Sequence, residues 1–194
     1  MSQLLRIIVE SVSVFYKDAQ TGRINWNAGR VVVYCLFPLL ISVFSIMQGF
    51  VLGDGLNKAV VGFLSLFIVL AFQVIFIATD KFSVRVNEKI MERRGELGPN
   101  LPIVLYEDEK NYLKRMGNYT KQFVRVLFLV LLVCLLIMIL SVIELFSEVS
   151  KVKIVCSAFI LAYSYLWLIL LLKLIVGIYK LLLDDINHKM TLVV

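Results

Sequence analysis

The sequence predicts an all-α fold, a four-helix transmembrane bundle with cytoplasmic helical extensions. Of 194 residues, 60% are hydrophobic and 18% are charged, whereas about a quarter of the residues of an ordinary soluble domain are charged. An α-helix needs ~20 apolar residues to cross a hydrocarbon core of ~30 Å. Four stretches without a charged residue approach or reach that length, namely residues 31–50, 59–78, 126–143 and 154–172.

The distribution of basic residues predicts the orientation of these spans. Seventeen of the 20 Lys and Arg residues lie before the first span, in or beside the central loop, or towards the C-terminus. The other three, Lys58, Lys151 and Lys153, flank the two short hairpins. Because basic residues in short loops resist translocation, we expect the termini and the central loop in the cytoplasm. The net charge of +6 then favours contact with anionic lipid headgroups over direct nucleic-acid binding.

Residues 1–30 are predicted to form a cytoplasmic or interfacial segment. An apolar stripe at helical spacing predicts an amphipathic helix over residues 2–18. The stripe consists of Leu4, Leu5, Ile8, Val9, Val12, Phe15 and Tyr16. Such a helix lies in the membrane interface or packs against a neighbouring subunit. The charged residues mixed among these positions argue against a cleavable signal peptide.

Residues 31–80 are predicted to form the first transmembrane hairpin. Pro38 removes one backbone donor from the first span and predicts a kink there. Two amides are candidate intramembrane polar residues, Gln48 near the end of the first span and Gln73 deep in the second. A buried amide in a span commonly joins two helices, which we expect of Gln73. Gln48 offers a polar side chain to a pore between subunits.

Residues 81–121 are predicted to form a cytoplasmic helical loop. The apolar pattern of the second span continues to Arg94, a projection of ~24 Å beyond the membrane. An apolar strip at residues 101–106 separates it from a second helix, which Gly117 and Asn118 are expected to break before the third span. The cations of this loop suit the surface of a soluble partner. The candidate partner-binding residues are Arg85, Lys89, Arg93, Arg94, Lys114 and Arg115.

Residues 122–177 are predicted to form the second transmembrane hairpin, and residues 178–194 a cytoplasmic C-terminal helix that continues the fourth span. Glu144, near the outer end of the third span, is the third candidate intramembrane polar residue. It is either an interfacial acid beside the turn or a member of a ring around an oligomeric axis. Ala158 and Ala162 form a small-xxx-small pair, which permits close helix approach.

The sequence contains no group of residues that predicts catalysis. The single histidine, His188, lacks co-ligands and a nucleophilic partner. Cys35, Cys134 and Cys156 fall inside spans and have no metal-ligand spacing. We therefore expect a protein that is not an enzyme and that has no catalytic, cofactor-binding or metal-binding residues.

The layout as a whole resembles one known family. Four spans, very short external hairpins and a basic helical cytoplasmic loop within 194 residues are similar to the KwaA family, the small membrane subunits of the Kiwa bacterial anti-phage defence systems. The resemblance covers the whole chain as architecture, so no residue roles carry over. It implies a homo-oligomer in the bacterial inner membrane that senses phage and holds a cytoplasmic, DNA-binding partner of the KwaB type.

Three classes of function are compatible with these features. The first is a non-enzymatic membrane sensor or scaffold that recruits a soluble effector, which the projecting helix and the charged loop favour. The second is an oligomeric ion-conducting pore, to which Pro38, Gln48 and Gln73 point. The third is an immunity protein that binds a pore-forming bacteriocin within the bilayer as a monomer. We expect the first.

Overall fold

The computed structural model describes residues 3–15, 27–97 and 107–191, and every regular element in these residues is helical. The elements are α1 (Gln3–Val12), a 3₁₀ turn (Ser13–Phe15), α2 (Ala28–Val31), a π-helical stretch (Val32–Leu36), α3 (Phe37–Met47), α4 (Asp54–Leu97), α5 (Glu107–Phe146) and α6 (Ser150–Thr191). The apolar strip predicted at residues 101–106 lies outside the described residues.

Four segments of the described residues are long and apolar enough to cross a membrane, which confirms the predicted fold class. The first is made by α2, the π-helical stretch and α3 together, and the others lie within α4, α5 and α6. The four spans are Ala28–Met47, Asp54–Asp80, Glu109–Phe146 and Ser150–Lys180.

Three of the helices are much longer than a membrane is thick. With 44 residues α4 measures about 66 Å and with 42 residues α6 measures about 63 Å, against a hydrocarbon core of ~30 Å. Two short turns join the spans at one end, which we call the hairpin end. At the other end, the extension end, α4 continues past Asp80 to Leu97 and α6 continues past Lys180 to Thr191. The predicted continuations of the second and fourth spans are therefore confirmed.

One prediction about α5 is wrong, because the helix does not break at Gly117 and Asn118. It is continuous from Glu107 to Phe146. A glycine inside a helix costs about 1 kcal/mol relative to alanine, and packing beside it offsets this cost, since Met116 and Thr120 are buried. The Thr120 hydroxyl donates to the Met116 carbonyl at 2.9 Å, so it is satisfied within the helix instead of capping a new one.

The centre of the bundle is α5. It packs against α4 and α6, and α6 in turn packs against α3. The contact between α5 and α6 contains the least exposed side chains, with Val130, Cys134 and Ile160 only 0–1% exposed. Ala158 and Ala162 are also buried on α6. Small side chains at these positions let helix axes approach closely.

Aromatic side chains join α4 to α6. Trp167 lies edge-on to Phe63 and Phe67, with ring centroids 6.0 and 5.3 Å apart, an arrangement that stabilises packing by about 0.5–1.5 kcal/mol per pair. Elsewhere the second span is little covered. Only 11% of its most apolar 18-residue stretch is buried, against 50% of the corresponding stretch of the third span. The second span therefore presents most of its surface to lipid or to another protein.

The first span is irregular just before Pro38. In the π-helical stretch Val32–Leu36, the Phe37 N–H donates to the Val32 carbonyl, five residues back. Proline lacks an N–H and crowds the carbonyl four residues earlier, here that of Tyr34. A π turn widens the helix where such a residue must be accommodated, and here it precedes the proline at which the sequence predicts a kink.

The turn after α3 is closed by glycine. Gly49 has φ +61°, and Gly49 N–H donates to the Ile46 carbonyl while Phe50 N–H donates to the Ser45 carbonyl. This pairing is a Schellman motif, which needs a left-handed residue that glycine supplies without a Cβ clash. The motif turns the chain sharply, so that Leu52 enters the bundle and is buried.

The N-terminal helix α1 packs against α5. Ser11 is buried in this region, and its hydroxyl donates to the Ile7 carbonyl at 2.9 Å. Glu10 accepts a hydrogen bond from Arg125 on α5, with Oε2 3.2 Å from Nη2. Val9 is 49% exposed, whereas Phe15, another member of the predicted apolar stripe, packs against the buried core. The small Ser11 side chain permits a close approach of α1 to α5. Part of the apolar stripe of α1, including Val9, faces outward.

Candidate functional site

A buried carboxyl group lies at the hairpin end of the bundle. Glu144, near the end of α5, is only 2% exposed. Its Oε1 accepts a hydrogen bond of 2.6 Å from the hydroxyl of Ser157 on α6. The Ser157 oxygen in turn accepts a 2.9 Å hydrogen bond from the backbone N–H of Leu52, in the turn before α4. These bonds connect the two transmembrane hairpins through one serine hydroxyl.

A second polar contact lies in the same region of α5. The Asn57 side-chain amide, at the start of α4, donates to the Ser141 carbonyl at 3.1 Å. Both residues are buried, at 2% and 1% exposure, and Ser141 is one helical turn from Glu144. Hydrogen bonds of this kind inside an apolar environment stabilise a helix contact by about 0.6–2 kcal/mol. We call Asn57, Ser141, Glu144 and Ser157 the polar cluster.

Three oxygens of the polar cluster have no hydrogen-bond partner among the residues that the structure describes. They are Asn57 Oδ1, Ser141 Oγ and Glu144 Oε2. An unsatisfied buried polar atom costs about 1–3 kcal/mol. Carboxylate, amide and hydroxyl oxygens are ligands for water or for a hard cation. The described residues hold no group of three His, Cys, Asp or Glu side chains that suits a metal such as zinc.

Glu144 lies near the turn after α5, as the interfacial interpretation expects, but it is buried and bonds to α6 of its own chain. Its membership of a ring around an oligomeric axis stays a prediction. Sequence reasoning also missed Asn57 and Ser157. Each is a polar residue a few positions from a short turn, which is the signal that such residues meet across the two hairpins.

The other two candidate intramembrane residues lie on the outer surface. Gln48 follows α3 and is exposed, and Gln73 is exposed in the second span. Within one chain, Gln73 therefore does not join helices as expected. It lies 19 residues beyond Asp54 on α4, about 28 Å from the hairpin end. The structure does not bring Gln48, Gln73 and Glu144 together into one site.

The candidate partner-binding residues lie on the parts of α4 and α5 nearest the extension end. The side chains of Arg94, Lys114 and Arg115 are exposed, whereas those of Arg85, Lys89 and Arg93 lie outside the described part of the chain. The backbone positions of the latter three follow one another at four-residue intervals on α4. Residues at this spacing share one helix face, so α4 carries a basic face into the extension end.

Three cations also meet where α6 leaves the membrane. Arg30, Lys173 and Lys180 line a cavity of about 210 Å³ together with Tyr119 of α5. The Lys173 Nζ lies 5.6 Å from the ring centroid of Tyr34, within the range of a cation–π contact. The extension end therefore concentrates positive charge at the membrane boundary as well as beyond it.

Comparisons with models of protein families, with curated proteins and with solved structures find no match to this chain. The described residues offer two distinctive features, a buried polar cluster at the hairpin end and a basic helical projection at the extension end.

Proposed function

We propose that this chain is a non-enzymatic scaffold and sensor of the bacterial inner membrane, which forms a homo-oligomer and recruits a soluble cytoplasmic partner. The observation that carries the proposal is the length of α4. Its 44 residues leave the membrane near Asp80 and continue as one helix to Leu97, about 25 Å further. A membrane anchor needs no such projection, whereas a docking surface for a soluble protein does.

The charge of the projection supports a cytoplasmic location and a protein partner. The exposed cations Arg94, Lys114 and Arg115 belong to the side with 17 of the 20 basic residues, the side that the positive-inside rule assigns to the cytoplasm. A partner with an acidic surface matches this face. A KwaA-type role, in which the partner is a DNA-binding effector of anti-phage defence, fits this arrangement.

The outward face of α4 supports a homo-oligomer. Gln73 is exposed on the same face as Val69 and Phe76, which are 58% and 70% exposed. Its side-chain amide makes no hydrogen bond to the described residues of its own chain. An amide in hydrocarbon is costly without a partner, and a second copy of α4 supplies one.

Replacing Gln73 with leucine is expected to weaken self-association. One interhelical amide bond contributes about 0.6–2 kcal/mol, so the dissociation constant should rise about 3- to 30-fold. Mass photometry or native mass spectrometry of the detergent-solubilised protein measures this shift over a concentration series. The matched control is Gln48→Leu, which removes the same amide at the end of the first span. An unchanged oligomer in Gln73→Leu excludes this face as the interface.

Reversing the charge of the basic face is expected to abolish partner recruitment. The variant carries glutamate at Arg85, Lys89, Arg93 and Arg94, and it leaves 13 basic residues on the extension side, enough to keep the orientation. The measurement is native mass spectrometry of protein purified gently from its own host. The control carries glutamate at Lys58, Lys151 and Lys153 at the hairpin end, and it should keep the partner.

The outcomes separate the three classes of function. Loss of a co-purified soluble protein in the first variant alone supports the scaffold, and equal recovery in both variants contradicts it. A bare symmetric oligomer whose ion flux in proteoliposomes changes on Gln48→Leu favours the pore. A bare monomer favours the immunity protein.

A further inference from the structure

An open groove of about 820 Å³ lies between α1, α4 and α5 at the extension end. Glu10 of α1 forms part of one wall and Thr79 of α4 forms part of another. The floor is a single stripe of α5, whose members recur at three-, four- and seven-residue spacing. The stripe includes Lys114, Lys121, Val124, Arg125 and Phe128.

The lining of the groove changes from apolar to basic along α5. Val124 and Phe128 flank Arg125, which precedes the uncharged part of the third span. Lys121 is four residues nearer the extension end, about 6 Å along the axis, and Lys114 is about 16 Å away. The headgroup layer of a bilayer is ~5–8 Å thick on each side. Lys121 therefore lies at the depth of lipid phosphates, and the backbone of Lys114 lies about 10 Å further from the hydrocarbon, within reach of its long side chain.

The groove has an excess of positive charge. Three cations line it against one carboxylate, Glu10, which is paired with Arg125 at 3.2 Å. Lys114 and Lys121 are exposed and form no ion pair with a described residue. The two lysines leave a charge of +2 for an anionic ligand, and the apolar end next to them accepts a hydrocarbon chain.

We propose that this groove binds one anionic glycerophospholipid from the leaflet on the extension side. Its phosphate lies near Lys121, its distal headgroup reaches towards Lys114, and an acyl chain covers Val124 and Phe128. The charge selects an anionic headgroup over a zwitterionic one, and the apolar end selects a lipid over free phosphate. Because α1 forms one wall, the lipid fills the space between α1 and the bundle and holds α1 in place.

The test is native mass spectrometry of the full chain in detergent with three additives in turn. They are dioleoylphosphatidylglycerol, dioleoylphosphatidylcholine and inorganic phosphate. We expect phosphatidylglycerol to remain bound after the other two have dissociated. In the double variant Lys114→Gln with Lys121→Gln, its affinity should fall about 10- to 30-fold. The matched control, Lys151→Gln with Lys153→Gln, loses the same charge at the hairpin end and should bind as the wild type does.

A third variant separates the groove from general charge attraction. Thr79→Trp places an indole ring in the groove from an exposed position of α4 and keeps every charge. It should lose phosphatidylglycerol while eluting as the wild type does on size exclusion. Retention of the lipid by Thr79→Trp, equal weakening in the hairpin-end control, equal retention of phosphatidylcholine, or lysine-dependent binding of inorganic phosphate alone each overturns the proposal.

Discussion

Replacing Ser157 with alanine is expected to lower the free energy of unfolding by about 3 kcal/mol, because one change orphans two buried groups. The Leu52 N–H loses its acceptor and Glu144 loses its only hydrogen-bond donor in the described structure. Both residues are buried, at 4% and 2% exposure. At about 2–4 °C per kcal/mol, the melting temperature should fall by about 6–12 °C. A fluorescence-detected thermal melt of the purified protein measures it.

Ser65→Ala is the matched control for this prediction. The Ser65 hydroxyl is exposed and donates to the Val61 carbonyl of its own helix, so its loss should leave the melting temperature unchanged. The variant Glu144→Gln adds a second check, because it keeps an oxygen acceptor for Ser157 while removing the charge. It should be at least as stable as the wild type, since a buried charge with one partner is costly. Equal melting of Ser157→Ala and Ser65→Ala contradicts a bonding role for the polar cluster.

Replacing Ala158 with phenylalanine is expected to prevent α6 from packing. Ala158 is fully buried, and a ring at this position must displace a neighbouring helix. Inserting bulk into a well-packed core costs about 1–3 kcal/mol and sometimes more, and here six ring carbons are added at a contact made by a methyl group. Size-exclusion chromatography of a fluorescent fusion should show the loss of a monodisperse peak.

The control for this variant lies three residues away. Val155 is 42% exposed on the same helix, so Val155→Phe adds a similar bulk towards the lipid. Its elution profile and melting temperature should match the wild type. If Ala158→Phe gives the same profile as Val155→Phe, the close approach of α6 to its neighbours is not what stabilises the second hairpin.

Much of the fold follows from the sequence because a charged residue is so costly inside a bilayer. The uncharged stretches locate all four spans, and the apolar pattern after Ala78 extends α4 towards its observed end at Leu97. The continuity of α5 through Gly117 does not follow in the same way. It depends on tertiary packing around Met116 and Thr120, which overrides the low helix propensity of glycine.

The polar cluster is harder to predict. Glu144 is visible in the sequence as an acid near the end of a span, but its partners come from a different hairpin. Asn57 lies 84 residues from Ser141, and Leu52 lies 105 residues from Ser157. Nothing in the local pattern fixes which helices become neighbours, so the sequence indicates the polar atoms but not their contacts. For the same reason, the sequence predicts Gln73 in a contact between helices, whereas the structure places it on the outer surface of the bundle.

Because α4 is one uninterrupted helix, a small tilt at one end displaces the other end by a larger distance. It contains no proline, and its first turn carries Asn57 of the polar cluster while its last lies at the extension end. A rod of about 66 Å that tilts by about 5° around its hairpin end moves its far tip by about 6 Å. A disturbance too small to change the shape of the outer turns is therefore magnified at the opposite face of the membrane.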